Sequence, residues 1–371
     1  MKTVKILFLS IHRPDRSPSQ RYRVECYADY WQQEGYELHQ RYLIDPKDDR
    51  IMYSQGNLFF KSIVLLKSLS RRIFHLLAAQ RYELIIIQRE AFYLGFTFFE
   101  TCIRYCTSAK IIFDFDDAIW LPNVSEGNKQ WAFLKNPNKT STLIRQADAV
   151  VAGNSYLADY ALQFNSKTFI IPSAIDLRMY HPALQKPKKD SNTINIGWSG
   201  SPTTVPHFET ALEALQIISH KYGAKVRFTL IGDSTYQNQG LPVTAKAWNP
   251  QTEAEDIAEF DIGIMPLPHN EWVKGKCAMK GLQYMAAGVP AILERIGANA
   301  EVVQDGENGL LAETPQEWVE KISLLIEHPD LRFRLGNAGR QTVEQFYSVQ
   351  GLYKKWIHLF DELLHTTVRS T

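Results

Sequence analysis

The strongest constraint on this chain is a short, unbroken apolar run that keeps returning. It occurs at residues 4–10 (VKILFLS), 84–88 (LIIIQ), 109–113 (AKIIF), 149–153 (AVVAG) and 168–172 (TFIIP). After a polar interval at residues 181–192 (HPALQKPKKDSN) it resumes at 193–197 (TINIG), 226–232 (VRFTLIG), 262–265 (IGIM) and 290–293 (PAIL). Runs this short and continuous fit strands covered on both faces, as in a parallel sheet. Helical patterns separate them, among them residues 208–220, 252–259 and 276–287, and three more, at 316–326, 329–347 and 349–366, close the chain. The alternation predicts an α/β protein of two Rossmann-like, doubly wound domains, residues 1–185 and 192–347, joined by the polar linker. A ligand is then expected in a cleft at the C-terminal ends of the strands.

Composition narrows the partners. The 371 residues suffice for two cores, and a net charge of +1 argues against bulk nucleic-acid binding. Cys26, Cys102, Cys106 and Cys277 show no metal-ligand spacing; Cys102 and Cys106, four apart in an apparent helix, read as buried free thiols, which suits a reducing cytoplasm. The first ten residues read as a strand, too short for a secretion signal, so the glycosylation patterns at Asn123 and Asn138 carry little weight. No apolar run reaches the length of about eighteen residues that a membrane span needs. Residues 58–77 (LFFKSIVLLKSLSRRIFHLL) interleave aromatic and aliphatic patches with basic residues. They fit either a basic amphipathic helix on anionic lipid at the cytoplasmic face of the membrane, or a helix packed on a sheet with snorkelling cations.

Three segments of the second half suit anion chemistry. Lys276 and Lys280 stand four residues apart in the predicted helix 276–287, with Gly275 at its entry and Gly288-Val289-Pro290 at its end. Two ammonium groups and the free N–H groups of a helix start attract phosphate, although solvated lysines on an amphipathic helix would look the same. The strand at 193–197 runs into Gly197-Trp198-Ser199-Gly200-Ser201, where glycine permits close backbone approach and serine hydroxyls can donate to phosphate oxygens. The strand at 262–265 ends in a proline-marked loop carrying His269 and Glu271.

The order of these segments resembles the GT-B-fold retaining glycosyltransferases of family 4. The matches are Tyr284-Met-Ala-Ala-Gly288-Val-Pro290 and Gly297…Glu301-Val-Val…Asp305-Gly306-Glu-Asn308-Gly309, within a resemblance covering residues 190–347. Residues 19–23, 154–157 and 171–180 match more loosely. The family carries two glutamates eight residues apart that contact the donor sugar and its ribose; here Gly275 and Gln283 occupy those positions. Gln283 can still hydrogen-bond a hydroxyl but carries no charge, and Glu271 is the candidate replacement carboxylate. The family's basic pair after the first strand of this half is also missing from residues 201–209, which moves the diphosphate to Lys276 and Lys280.

The resemblance implies a metal-independent, retaining transfer from a nucleotide-diphosphate sugar, with no further cofactor, to a glycan or lipid-linked acceptor in cell-surface polysaccharide assembly. Base and ribose are expected near Gly232, Asp233, Trp248 and Gln283, and the diphosphate on Gly197, Ser199, Ser201, Lys276 and Lys280. Asn299 and Glu301 complete the donor side. Lys276 and Glu271 are also candidates for the chemistry itself. The closing helix 349–366 is expected to cross back onto the first domain.

In the first half, the strand at 109–113 ends in Asp114-Phe-Asp116-Asp117. These carboxylates, with Arg21 of Ser17-Pro-Ser-Gln-Arg21-Tyr-Arg23 and with Arg89, are candidates for the acceptor side. Asp116 and Asp117 could accept a proton; alternatively the aspartates cap a helix or pair with Arg89. Asp114-x-Asp116 also resembles the Mg²⁺-dependent haloacid-dehalogenase phosphatases, although the following Gly-Thr is absent. His12 and His207, near strand ends, read as structural. A sugar-nucleotide-binding protein without transfer activity remains the other alternative.

Overall fold

The computed structural model of the chain describes residues 3–54, 56–121, 136, 138–181 and 193–365. Residues 182–192 of the expected linker, Asn123 and Thr366 lie outside them. The chain divides into two compact units, Met1–Ala174 with Leu352–Thr371, and Ile175–Gly351.

Each unit is built on a six-stranded parallel sheet. The first contains β1 (Val4–Leu9), β2 (Tyr36–Arg41), β3 (Leu84–Gln88), β4 (Lys110–Phe115), β5 (Ala149–Ala152) and β6 (Thr168–Ile170), in the order β2-β1-β3-β4-β5-β6. The second contains β7 (Ile194–Ser199), β8 (Val226–Ile231), β9 (Val243–Lys246), β10 (Ile262–Met265), β11 (Ala291–Glu294) and β12 (Leu310–Ala312), in the order β12-β11-β10-β7-β8-β9. Both are doubly wound α/β sheets, as the recurring apolar runs predict. The direction of winding reverses beside the first strand, between β1 and β3 in one unit and between β7 and β10 in the other. Loops leaving the carboxyl ends of those strands therefore border the crevice where such sheets bind ligands.

Central strands such as β3 are buried along their whole length, which is why their sequences are continuously apolar. Helix Val349–His365 joins the first unit from Leu352 onward. Its Trp356 and Phe360 lie 5.4 and 5.0 Å from the ring of Trp31, edge-on, and Trp31 stacks on Tyr27 at 5.6 Å.

In the second unit a pair of glycines positions the lysine-bearing segment. Gly197 of β7 and Gly263 of β10 are register partners. A Cβ on Gly263 would come within 2.6 Å of the Tyr284 ring, and one on Gly197 would fall inside the Phe260 ring. The bare patch lets both rings lie on the sheet, 6.0 Å apart, and brings helix Met279–Ala286 close to β10. That helix ends in a Schellman turn. Gly288 takes φ 70°, the Gly288 N–H donates to Met285 O at 2.9 Å and the Val289 N–H to Tyr284 O at 2.9 Å. The Met-Ala-Ala-Gly-Val-Pro segment is thus a helix stop.

Candidate functional site

The lysine segment departs from its expected form. Helix Glu271–Lys274 ends at Gly275, and helix Met279–Ala286 starts only after Lys276, Cys277 and Ala278. Lys276 therefore precedes the second helix and Lys280 lies in its first turn, so the two do not share one helical face. Gly275 is right-handed (φ −75°), and the left-handed residue is Ala278 at φ 54°. A non-glycine residue held there costs roughly 1–3 kcal/mol, and such strain concentrates at ligand sites.

Neither lysine is a freely solvated surface group. Both are half-buried, with the Lys276 Nζ 3.6 Å from the Trp272 ring centroid and the Lys280 Nζ 5.4 Å from that of Trp198. Each ammonium is held against an indole face by cation–π attraction. His207, on helix Val205–Glu209 after β7, faces the same charges. Burial first, then Lys280 and Lys276, lower its pKa from 6.5 to about 4. It is neutral at pH 7, and its buried Nδ1 has no hydrogen-bond partner among the described residues. No side chain caps the start of helix Met279–Ala286. Two oriented ammonium groups beside an uncapped helix start make this a candidate anion site, at the carboxyl end of β7 and β10.

The loop after β7 is built differently from the hydroxyl-lined cradle expected of it. Gly197 serves ring packing. The Ser199 N–H donates to the Tyr284 hydroxyl at 2.9 Å, and Ser199 is buried. Ser201 forms a capping box with Thr204, its N–H donating to Thr204 Oγ1 at 3.0 Å. Gly232, at φ 133°, lies so close to Gly200 that a Cβ would be 2.5 Å from the Gly200 carbonyl oxygen. These residues brace the strand ends.

Other donor-side candidates are also turned inward. The Gln283 Nε2 donates to the Tyr180 hydroxyl at 3.2 Å and Gln283 is only 5% exposed, so it faces Tyr180 in place of the expected ribose. Glu271 is exposed and pairs with Lys274 at 2.6 Å. The Trp248 Nε1 donates to Glu253 at 2.7 Å, on a loop whose Pro250 and Gln251 help line a cavity of about 350 Å³. Asn299 is buried and donates to the Glu294 carbonyl at 3.0 Å, whereas Glu301 is exposed. Asp305 and Asn308 hold their own turn together: Asp305 accepts from Lys321, Arg295 and the Leu311 N–H, and Asn308 donates to Val302 O.

In the first unit the predicted carboxylates do gather at the strand ends. Register pairs Gln88 with Asp114. Asp114 is fully buried and bound by the equally buried Arg23, at 2.5 Å from Nη2 and 3.3 Å from Nε. It cannot touch an acceptor there, nor serve as the nucleophile of a phosphatase. Arg89, left-handed at φ 58°, binds Asp116 through Nε at 2.7 Å and Asp117 through Nη2 at 2.9 Å. The Ser19 hydroxyl donates to Asp116 at 2.5 Å. Burial opposes ionisation of Asp116, but the Arg89 charge and hydrogen bond, with Arg23 and Ser19, hold its pKa at about 2. So weak a base is a poor proton acceptor at neutral pH, which corrects that expectation. Arg21 is also buried, its Nη2 donating to the Tyr22 hydroxyl at 2.5 Å.

Residues 194–328 match the family model described as "Glycosyl transferases group 1". Within the chain, 114 residues are 39% identical to an uncharacterized glycosyltransferase of Methanocaldococcus jannaschii, and 81 residues are 31% identical to the spore coat protein SA of Bacillus subtilis. These matches span 29% and 21% of this chain, and only 32% and 22% of the two relatives. Similar solved folds extend over nearly the whole chain. A Rickettsia africae glycosyltransferase has a TM-score of 0.70 at 15% identity, covering 98% of this chain and 99% of its own. Sucrose-phosphate synthase of Thermosynechococcus elongatus has 0.72 at 15%, covering 98% and 100%. Anabaena HepE, in complex with UDP and glucose, has 0.66 at 15%, covering 96% and 99%. The fold is that of the GT-B glycosyltransferases.

Sequence reasoning missed several parts of the candidate anion site. His207 reads as structural in sequence, because its proximity to Lys276 and Lys280 depends on the order of β7 and β10. The indoles that seat the lysines were visible only as spacing, Trp272 four residues before Lys276. His269 and Glu294 form an unanticipated pair, 2.8 Å apart at the end of β11, where burial raises the Glu294 pKa.

Proposed function

We propose that the chain is a metal-independent, retaining glycosyltransferase whose nucleotide-diphosphate sugar binds with its diphosphate on Lys276, Lys280 and the start of helix Met279–Ala286. The observation that carries this reading is the pair of lysines seated on Trp272 and Trp198 beside an uncapped helix start. In the transfer, the bond from the sugar's anomeric carbon to the diphosphate oxygen breaks and one to an acceptor hydroxyl oxygen forms on the same face. The two ammonium groups stabilise the departing charge, the role a divalent cation would otherwise fill. With Asp116 held near a pKa of 2, the acceptor's proton passes to the leaving diphosphate oxygen. Arg89 and Asp117, at the carboxyl ends of β3 and β4, are assigned to the acceptor. That acceptor is a glycan or lipid-linked acceptor in cell-surface polysaccharide assembly.

HepE has a similar fold and binds UDP and glucose, which makes uridine nucleotides the first to test, followed by ADP, GDP and their sugars. Calorimetric titration should show saturable binding that weakens by about tenfold or more in Lys276→Ala and in Lys280→Ala, each removing a charge-assisted contact. Binding unchanged in both variants would refute the assignment. Product formation insensitive to EDTA would support the metal-independent reading. A second reading, a sugar-nucleotide binder without transfer, is favoured by Gln283 facing Tyr180 where the family has a donor-contacting glutamate. Binding with neither transfer nor hydrolysis across those sugars and a panel of acceptors would decide for it.

A further inference from the structure

Helix Leu58–Ala78 is amphipathic in the reverse sense for a helix on a sheet. Its inward face carries Val64, Ser68 and Arg72, all fully buried. Arg72 is anchored through Nη2 to the Ser10 carbonyl at 2.8 Å. Its outward face carries Phe59, Leu66, Phe74 and Leu77, which are 73%, 62%, 69% and 70% exposed, together with Ile73. At about 100° per residue these five positions fall within an arc of roughly 100°, opposite the buried set. Helix Phe98–Cys106 packs alongside and adds Phe98 and Tyr105, seven residues apart on one stripe and 58% and 81% exposed. Large apolar side chains exposed in this number on two neighbouring helices are unusual on a soluble surface and mark a contact face.

We propose that this face docks on an anionic lipid bilayer. Charge selects the occupant. Residues 45–78 contain six Lys or Arg, five of them besides the buried Arg72, against three Asp and no Glu, in a chain whose net charge is only +1. Helix Leu58–Ala78 itself contains no acidic residue. Lys67 and Arg71 lie at the edge of the stripe. They lean on Asp48, which is 1% exposed, and on Asp45, yet keep 53% and 33% of their own side chains exposed. Anionic headgroups complement that basic edge while the acyl region takes up Phe59, Leu66, Phe74 and Leu77. A second copy of the chain, meeting this face by two-fold symmetry, would set the basic edge against itself.

The proposal does not depend on sugar transfer, and nucleotide binding measured without vesicles reports separately on that reading. The full chain is sedimented with vesicles of phosphatidylcholine alone and of phosphatidylcholine mixed with phosphatidylglycerol. Binding is expected to the mixed vesicles and to fall as salt is raised. The double variant Phe74→Ser/Leu77→Ser should bind about tenfold or more weakly, whereas Phe333→Ser, at an exposed phenylalanine of the second unit, should bind as the unmodified chain does. Hydrogen exchange of the unmodified chain should show residues 58–78 protected by the mixed vesicles, a readout independent of any variant's folding. No binding to the mixed vesicles, unchanged binding by the double variant, or a vesicle-indifferent dimer that the double variant dissociates would each overturn the proposal.

Discussion

Replacing Arg23 by Met tests whether Asp114 is a structural partner or an acceptor-binding group. Arg23 and Asp114 are 1% and 0% exposed, and the same guanidinium donates to the Ile171 carbonyl at 2.5 Å. Without it, a sealed carboxylate retains only Gln88 among the described side chains, with Nε2 at 3.5 Å. Removing one member of a buried pair costs about 3–5 kcal/mol, because the other is left buried and unmatched. The first unit is large enough that 1 kcal/mol moves its melting midpoint by roughly 2–4 °C, so the expected drop is roughly 6–20 °C. Scanning calorimetry should show this drop in the first unit's transition, with nucleotide binding by the second unit unchanged at low temperature. Arg23→Met combined with Asp114→Leu should recover much of the loss, since no charge is then stranded. A midpoint within about 2 °C of the unmodified chain for Arg23→Met would refute the buried-pair argument. So would an Asp114→Asn protein that melts normally but no longer transfers sugar, which would return Asp114 to the acceptor.

Three further outcomes follow from the same geometry. His12, His75 and His207 each have a pKa lowered to about 4 by burial and neighbouring cations. They fold neutral and unfold with a value near 6.5, so their contribution is complete above pH 6.5 and is lost as pH falls toward 4. Urea midpoints should therefore decline between pH 7 and pH 5. A diphosphate on Lys276 and Lys280 offsets the charge that depresses His207, so sugar-nucleotide binding should take up protons and tighten as pH falls through that window; His207→Phe should abolish the trend in a calorimetric pH series. Tyr284→Phe strands the buried Ser199 N–H and should cost about 1–3 kcal/mol by chemical denaturation; an unchanged denaturation midpoint would show that the bond does not brace the strand end.

Much of the fold was legible because central parallel strands announce themselves. Residues 84–88 and 262–265 coincide with β3 and β10. Strands β2 (YELHQR) and β9 (VTAK) went unseen, for a physical reason. Each lies at a sheet edge with one neighbour and half-exposed side chains, so neither needs an unbroken apolar run. The segment that carries the candidate anion site was legible too, as two lysines and a helix stop at Gly288. Its construction was not, because the left-handed turn falls on Ala278, a residue with no preference for it, while the nearby Gly275 stays right-handed. Likewise, Asp114 and Asp116 carry the same side chain two residues apart. Only the tertiary placement of Arg23 and Arg89 shows that both are neutralised within the unit.

The bare patch made by Gly197 and Gly263 sets where the positive charge of the second unit can lie. Because the rings of Phe260 and Tyr284 rest directly on the strands, helix Met279–Ala286 takes its height from the backbone of the sheet, and the surrounding loops do not determine it. The chain can then vary the loops after β8 and β9, which would face different bases, without displacing Lys280. If the proposed nucleotide sugar binds there, selectivity for its base and retention of its diphosphate become separately adjustable quantities. Enlarging either glycine would alter the second while leaving the first untouched.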